Sequence, residues 1–456
     1  MEYHVSIPEE SGYDLLVAGG GPAGSAAAIC ASRLGLKTLL IESCGALGGM
    51  GTMGQVCAFD PMADGVRMLT RGFMEELVET LYERNFISPS ATPDNWRKAY
   101  HCWTPFSSEG LKLVLDDLVT KAGVEVRFFT KVVDSVTQDS QVQGVVTHSI
   151  EGFKYIKAKA FIDATGDAVL SKLSGATCIE PGVESKAPMP STLTALFAGV
   201  DWSKPALNTQ TPEAVKLIEE EYQNGNFIQL DRLFVGLWQN GAQMGYLNGG
   251  HIFNLDSTSV KSLTDGMMLG RKVVKDCERF LKKYSPNCEN LELVTTAPLM
   301  GVRESRRVVG EYSLSIDDYR SRRQFPDQIG VFNKFVDVHP YSTDLEEYER
   351  HMKEKNSDKL KVGESFGLPY GILVPKGFKN LWVAGRCASS DVAVQGSIRV
   401  MPPAAVMGQA AGTAAWQSIK TGQPACGIDT SALVKTLREN GAYLPQAELS
   451  ETMSRA

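Results

Sequence analysis

Residues 14–42 constrain the fold more than any other stretch. The apolar run DLLV leads straight into AGGGPAGSAAAICASRLG, and a second apolar run, KTLLIE, closes on Glu42. Gly19, Gly21 and Gly24 have the GxGxxG spacing, and the alanine-rich residues after them favour a helix. Two strands joined by a helix pair in parallel, so the unit predicts an α/β chain built on a parallel sheet. The glycines also have a chemical reason. The first permits a tight turn, the second lets backbone approach a pyrophosphate, and the third packs helix against strand, while the helix N-terminus offers free N–H groups to phosphates. Glu42 lies 18 residues beyond Gly24, where a carboxylate accepts hydrogen bonds from a ribose. The unit predicts a dinucleotide site.

Bulk properties narrow the rest. A length of 456 residues suits two domains, or one with a large insertion. The formal charge of -7 argues against nucleic acid as a partner. Nine cysteines include no CxxC pair, and six histidines include no HxxxH or HExxH, so no metal site is expected. No apolar run reaches membrane-spanning length, and the acidic start MEYHVSIPEESGYD lacks a signal-peptide core. A cytoplasmic protein is the expectation.

Four further segments carry glycines or helix starts of the same character. They are SCGALGGMGTMGQVCAFDP directly after Glu42, KAFIDATGDAVLSKLSGA (159–176), KNLWVAGRCASS (379–390) and GSIRVMPPAAVMGQAAGTAA (396–415). With MGVRESRR (300–307), these segments resemble FAD-dependent oxidoreductases of the glutathione-reductase-like superfamily, related to fumarate-reductase-type flavoproteins and, through RVMP…MGQAAG, to thiazole-forming flavoproteins. The resemblance implies FAD, and with no histidine or cysteine tether beside the ring-facing loop the flavin is expected to be noncovalent. Gly19, Gly21, Pro22, Ala23, Gly24, Glu42 and Ser43 would hold the nucleotide, and Gly48, Gly49, Met50, Gly51 and Thr52 would line the ribityl chain. Val132 would meet the adenine through its backbone. Ala164, Thr165 and Gly166, the ATG signature at the end of a strand, would also bind the cofactor; Gly385 and Arg386 would approach the pyrophosphate, and Val400, Met401 and Pro402 the pyrimidine edge of the ring. A helix N-terminus there would stabilise negative charge on the reduced ring. A second GxGxxG unit and a redox cysteine pair are missing; Cys44 and Cys57 lack the spacing.

The expected fold is therefore a Rossmann-like FAD-binding domain, a parallel sheet plus a small antiparallel meander within 124–166, with an inserted mixed α+β substrate or cap domain. The division places the FAD domain at 1–186 and 363–422, the cap at 187–362, and a polar tail with a peripheral helix at 423–456. Helical periodicity marks MLTRGFMEELVETLYERN, SSEGLKLVLDDLVTKAG with Ser107 or Ser108 as its N-cap, and SLTDGMMLGRKVVKDCERFLKKY.

For the chemistry, Arg303, Arg306 and Arg307 crowd into an apolar stretch of an acidic chain. A flavin site acting on an organic acid or carbonyl needs a fixed cation, and a guanidinium binds a carboxylate bidentately. Arg303 is expected at the cavity with Glu304 as its orienter, and Arg306 and Arg307 in ion pairs with Glu311 or Asp317. Arg399 is a second candidate. His251, flanked by glycines and asparagine in NGGHIFN, is the candidate base; Tyr370 and His101 are weaker ones. The reading is an FAD-dependent oxidoreductase passing a hydride between a small organic substrate and flavin N5, with an external electron donor or acceptor and a possible homo-oligomer. A partner-dependent or RNA-modifying flavoprotein, and a non-redox lyase or isomerase, stay open as alternatives.

Overall fold

The computed structural model describes residues 5–445. β1 (Glu9–Ala18), α1 (Pro22–Arg33) and β2 (Thr38–Ile41) form the expected unit, with β1 and β2 parallel and Leu16 opposite Leu39. α2 (Ser108–Ala122) leads into β3 (Glu125–Arg127), then β4 (Lys131–Gln138), β5 (Gln141–Ser149) and β6 (Gly152–Asp163). Ser107 is the N-cap of α2, its hydroxyl accepting from the Gly110 N–H at 3.2 Å. The sheet runs β3-β2-β1-β6-β5-β4, and the strand Leu381–Val383 lies parallel to the end of β6. β4, β5 and the start of β6 are the antiparallel meander. Leu15, Leu16 and Val17 are wholly buried, as a strand covered on both faces requires.

The second unit is a four-stranded antiparallel sheet of β7 (Ala195–Ala198), β8 (Gly236–Gln239), β9 (Gly245–Asn248) and β10 (Glu292–Thr296), in the order β8-β9-β7-β10. Against it packs α3 (Val260–Tyr284), capped by Ser259 and burying Val273, Val274, Cys277, Phe280 and Leu281. This apolar core draws its residues from Leu193 to Met300. Side chains beyond it, from Leu314 through Phe332 to Phe366, pack into the core of the nucleotide unit.

The chain returns to that first core as α4 (Met401–Thr421), which lies along α1, and α5 (Thr430–Glu439), which buries Leu433, Val434 and Leu437 against it. The remainder of the tail, past 445, is outside the described residues. Two glycines set the approach of α4 to α1. A Cβ on Gly408 would stand 2.0 Å from the Ala23 carbonyl oxygen, and one on Gly412 2.3 Å from that of Ala27. Among the described residues, no helix is long and apolar enough to cross a membrane.

Candidate active site

A single cavity of ≈ 700 Å³ runs from the turn after β1 to the junction of the two units. At its nucleotide end Gly19 takes φ +96°, and a Cβ there would fall 2.6 Å from the Ala164 carbonyl oxygen. A Cβ on Gly24 would strike the Gly19 oxygen at 1.8 Å, so the third glycine serves the packing of turn on helix. Glu42 is buried at the end of β2. Its Oε2 accepts from the Gly20 N–H at 2.7 Å and its Oε1 from the Cys44 N–H at 2.7 Å, which fixes the carboxylate against the turn.

The Ala164–Thr165–Gly166 turn is ordered from behind by Asp163. This wholly buried carboxylate accepts from the Thr165 N–H and hydroxyl and from the Ser171 N–H at 2.7–3.1 Å. Arg386 ties that turn to the later segments, donating to the carbonyls of Gly166 (2.8 Å) and Val302 (2.6 Å) and to Asp167 (2.7 Å). Val400 and Met401 open α4 onto the cavity. Pro402 and Pro403 carry no N–H, so the helix end presents the Met401 N–H and the positive end of its dipole.

Most of the expected cofactor residues line this cavity: Gly19, Gly21, Pro22, Ala23, Glu42, Ser43, Gly49, Met50, Val132, Ala164, Thr165, Gly166, Gly385, Arg386, Val400 and Met401. Gly24, Gly48, Gly51, Thr52 and Pro402 stand behind the wall. The Gly48 N–H donates to the Gly20 oxygen at 2.8 Å, and the Thr52 hydroxyl to the Leu47 oxygen at 2.6 Å, so these shape the loop.

The other end of the cavity is charged and buried. Arg303 donates to the Pro190 carbonyl at 2.9 Å, the Thr192 hydroxyl at 2.8 Å and, at 3.4 Å, Asn248; among the described residues, none of its hydrogen bonds goes to a carboxylate. Burial, with Arg399 nearby, pulls its pKa down to about 9. Arg399 donates to Asp337 at 3.1 Å, and Lys334 bridges Asp60 at 2.5 Å. Burial pushes Asp337 up, but Lys334 and Arg399 beside it hold it well below the usual carboxylate range. Asp60 stays above that range, burial outweighing Lys334. Trp103 and Trp238 stack at 4.5 Å along the same wall.

Several expectations change here. Glu304 does not orient Arg303; its carboxylate accepts from the N–H groups of Gly182 (2.9 Å) and Met189 (2.7 Å), pinning that loop. Arg306 and Arg307 do form ion pairs, but with Glu180 and Glu184, both at 2.8 Å, because the strand Cys178–Ile179 pairs with Arg307–Val308. Tyr370 is buried in the core, donating to the Ala425 oxygen. His101 is held down to about 4 by burial with Lys334 and Lys359 nearby, and among the described residues neither ring nitrogen has a hydrogen-bond partner. His251 is buried, and both its ring nitrogens are engaged. Sequence reasoning missed Asp60, Asp231, Lys334, Asp337 and His339, which come from separate segments without a shared motif.

A family model described as FAD dependent oxidoreductase matches residues 14–437. The chain belongs to this family. Its members' cofactor, FAD, is this enzyme's cofactor, and the chain is an oxidoreductase. Among curated relatives, the mitochondrial dihydrolipoyl dehydrogenase of Schizosaccharomyces pombe is 30% identical over 201 residues, 41% of this chain and 36% of that one. The chain thus matches little more than a third of that relative's length. Among solved structures, a geranylgeranyl bacteriochlorophyll reductase-like protein of Thermoplasma acidophilum is 16% identical with a TM-score of 0.49, covering 94% of this chain and 83% of that one. L-proline dehydrogenase of P. horikoshii gives 12% and 0.42, covering 95% and 99%.

The residues present fit FAD. Gly19 takes a positive φ and has no room for a Cβ, Gly21 leaves the cavity open beside it, the nearest atom to an added Cβ being 4.0 Å away, and Glu42, Thr130, Lys131 and Val132 line the same cavity.

Proposed function

We propose that this oxidoreductase exchanges a hydride between a small carboxylate-bearing organic substrate and N5 of noncovalently held FAD, with the unit built on β7–β10 acting as the substrate cap. The observation that carries the reading is Arg303, a buried guanidinium that lines the same cavity as the glycine turn and has no carboxylate partner among the described residues. A buried, unpaired cation is costly, and an anionic ligand relieves the cost. Bound FAD supplies the redox chemistry.

The protein residues do the rest. Arg303 fixes one end of the substrate. Arg399 is held by Asp337 and Lys334 by Asp60, so both of these cations are paired and fixed in place. The Trp103–Trp238 pair and Leu233 exclude water from the apolar part of the substrate.

The test is anaerobic absorbance of the FAD-loaded protein at the flavin band, with hydroxy acids, amino acids and aromatic carboxylates added singly beside their amides. Bleaching by an acid but not by its amide supports the reading. Bleaching by nicotinamides alone, or by neutral compounds equally well, sinks it.

A further inference from the structure

Asp231, His251, His339 and Asp337 form a line that ends at the cavity. The Nδ1 of His251 is 3.0 Å from both carboxylate oxygens of Asp231, and its backbone N–H donates to the same carboxylate at 2.8 Å. Its Nε2 is 2.7 Å from Nδ1 of His339, and Nε2 of His339 is 3.4 Å from Asp337. His339 and Asp337 line the cavity; His251 and Asp231 stand behind it.

Counting protons along this line assigns the tautomers. An ionised carboxylate only accepts, so His251 must carry its proton on Nδ1 toward Asp231. With that one proton on Nδ1, Nε2 of His251 can only accept, so His339 must donate to it from Nδ1. That leaves Nε2 of His339 as a lone pair. Asp337 stands 3.4 Å from that nitrogen, at the long limit of an N–H···O contact. The groups around the His339 ring are Arg303, Asp337, His251 and His351, whose ring centre is 5.8 Å away. Burial and Arg303 hold His339 well below the usual imidazole range, which keeps it neutral.

We propose that His339 is the general base of the reaction, taking a proton on Nε2, while His251 and Asp231 are positioning residues that fix its tautomer. The proposal rests on the reading of a hydride-removing enzyme above. As a substrate carbon loses hydride, the O–H or N–H bond on that carbon breaks. The proton forms an N–H bond on His339 Nε2, the O–H or N–H electrons become the second bond to carbon, and the hydride's electron pair passes to FAD, the oxidant. Asp337, 3.4 Å from Nε2, stabilises the imidazolium.

Histidine-selective ¹⁵N NMR of the FAD-loaded full chain tests the tautomer without any substrate, with assignments from His339→Gln. A bare Nε2 and protonated Nδ1 on His339 near neutral pH is the expected state; an Nε2–H tautomer or an imidazolium overturns the proposal, whatever becomes of the substrate reading. Asp231→Asn preserves shape but can donate, so it should turn His251 over and move the His339 proton to Nε2. With an acid that bleaches the flavin, Asp231→Asn and His339→Gln should each slow the reduction by about 10²–10⁴-fold. The binding constant, read from the flavin perturbation, should stay within about threefold, and His339→Gln should erase the acid limb of the pH profile. Flavin reduction at the native rate in His339→Gln overturns the assignment.

Discussion

At the scale of single residues, the cavity is governed by a guanidinium held in place by neutral partners. Arg303 gives hydrogen bonds to Pro190 and Thr192, so its direction is fixed while, among the described residues, no carboxylate accepts from it. Charged hydrogen bonds contribute about 1.5–3 kcal/mol, so Arg303→Gln should weaken carboxylate binding by roughly 10–100-fold. Arg303→Lys should recover only part of that, since an ammonium lacks the planar fork. Titration of the flavin band with benzoate reads both, and equal affinity in all three proteins would refute the assignment. The pH dependence has a definite sign. The empty site holds Arg303 charged below about 9 and discharges it above, so benzoate affinity should fall by up to about tenfold per pH unit beyond that value. Arg303 was legible in sequence because a charge cluster in an apolar stretch is itself unusual. The partners of its neighbours were not, because Glu180 and Glu184 lie more than a hundred residues upstream and meet Arg306 and Arg307 only through a two-residue strand pairing.

At the scale of elements, the nucleotide end of the site depends on how closely α4 lies against α1. The sequence pattern reveals both helices and the glycine turn, since each is a local signal: an apolar strand, a GxGxxG spacing, a proline start. It does not reveal what Gly408 and Gly412 do. They read as part of a flavin-family segment, yet their role is contact between helices, with Ala23 and Ala27 backbone where a Cβ would stand. Gly408→Ala should therefore push α4 outward and carry Val400 and Met401 away from the cavity. Overpacking of this kind costs about 1–3 kcal/mol. FAD affinity should drop at least about tenfold, while Gly422→Ala, at the far end of the same helix where no atom lies near the added Cβ, should leave FAD affinity unchanged though its positive φ costs some stability. Flavin fluorescence on titrating each apoprotein separates the two, and equal affinities would refute the packing argument.

At the scale of the whole molecule, the site lies where two cores meet, and the sequence shows the meeting only in part. Nothing in the local pattern distinguishes Leu193–Met300, which forms the second core, from Leu314–Phe366, which packs with the first. Lys334, Asp337, His339 and His351 arrive at the cavity from that returning stretch. Their shared environment predicts acid sensitivity. Burial first, then nearby cations, keep His339 well below the usual imidazole range and His101 at about 4. His351 is lowered mainly by burial. An unfolded chain takes protons on these rings near pH 6.5 while the native one refuses them. Between about 6.5 and 4 the unfolded state binds more protons, so stability falls as pH falls, by up to about 1.4 kcal/mol per group per unit. Asp60 and Asp163, raised by burial, oppose this as pH falls through their native values, which lie above the ordinary carboxylate range. Below it Glu10, held to about 2 chiefly by Arg127, and Asp337 add to the loss. Urea midpoints of the FAD-loaded protein should decline from pH 7 to 5, and a flat profile would refute the account. His339→Gln should reduce the slope. Benzoate should reduce it too, because a carboxylate beside Arg303 offsets the cation that helps keep His339 neutral and so lets the native state accept its proton.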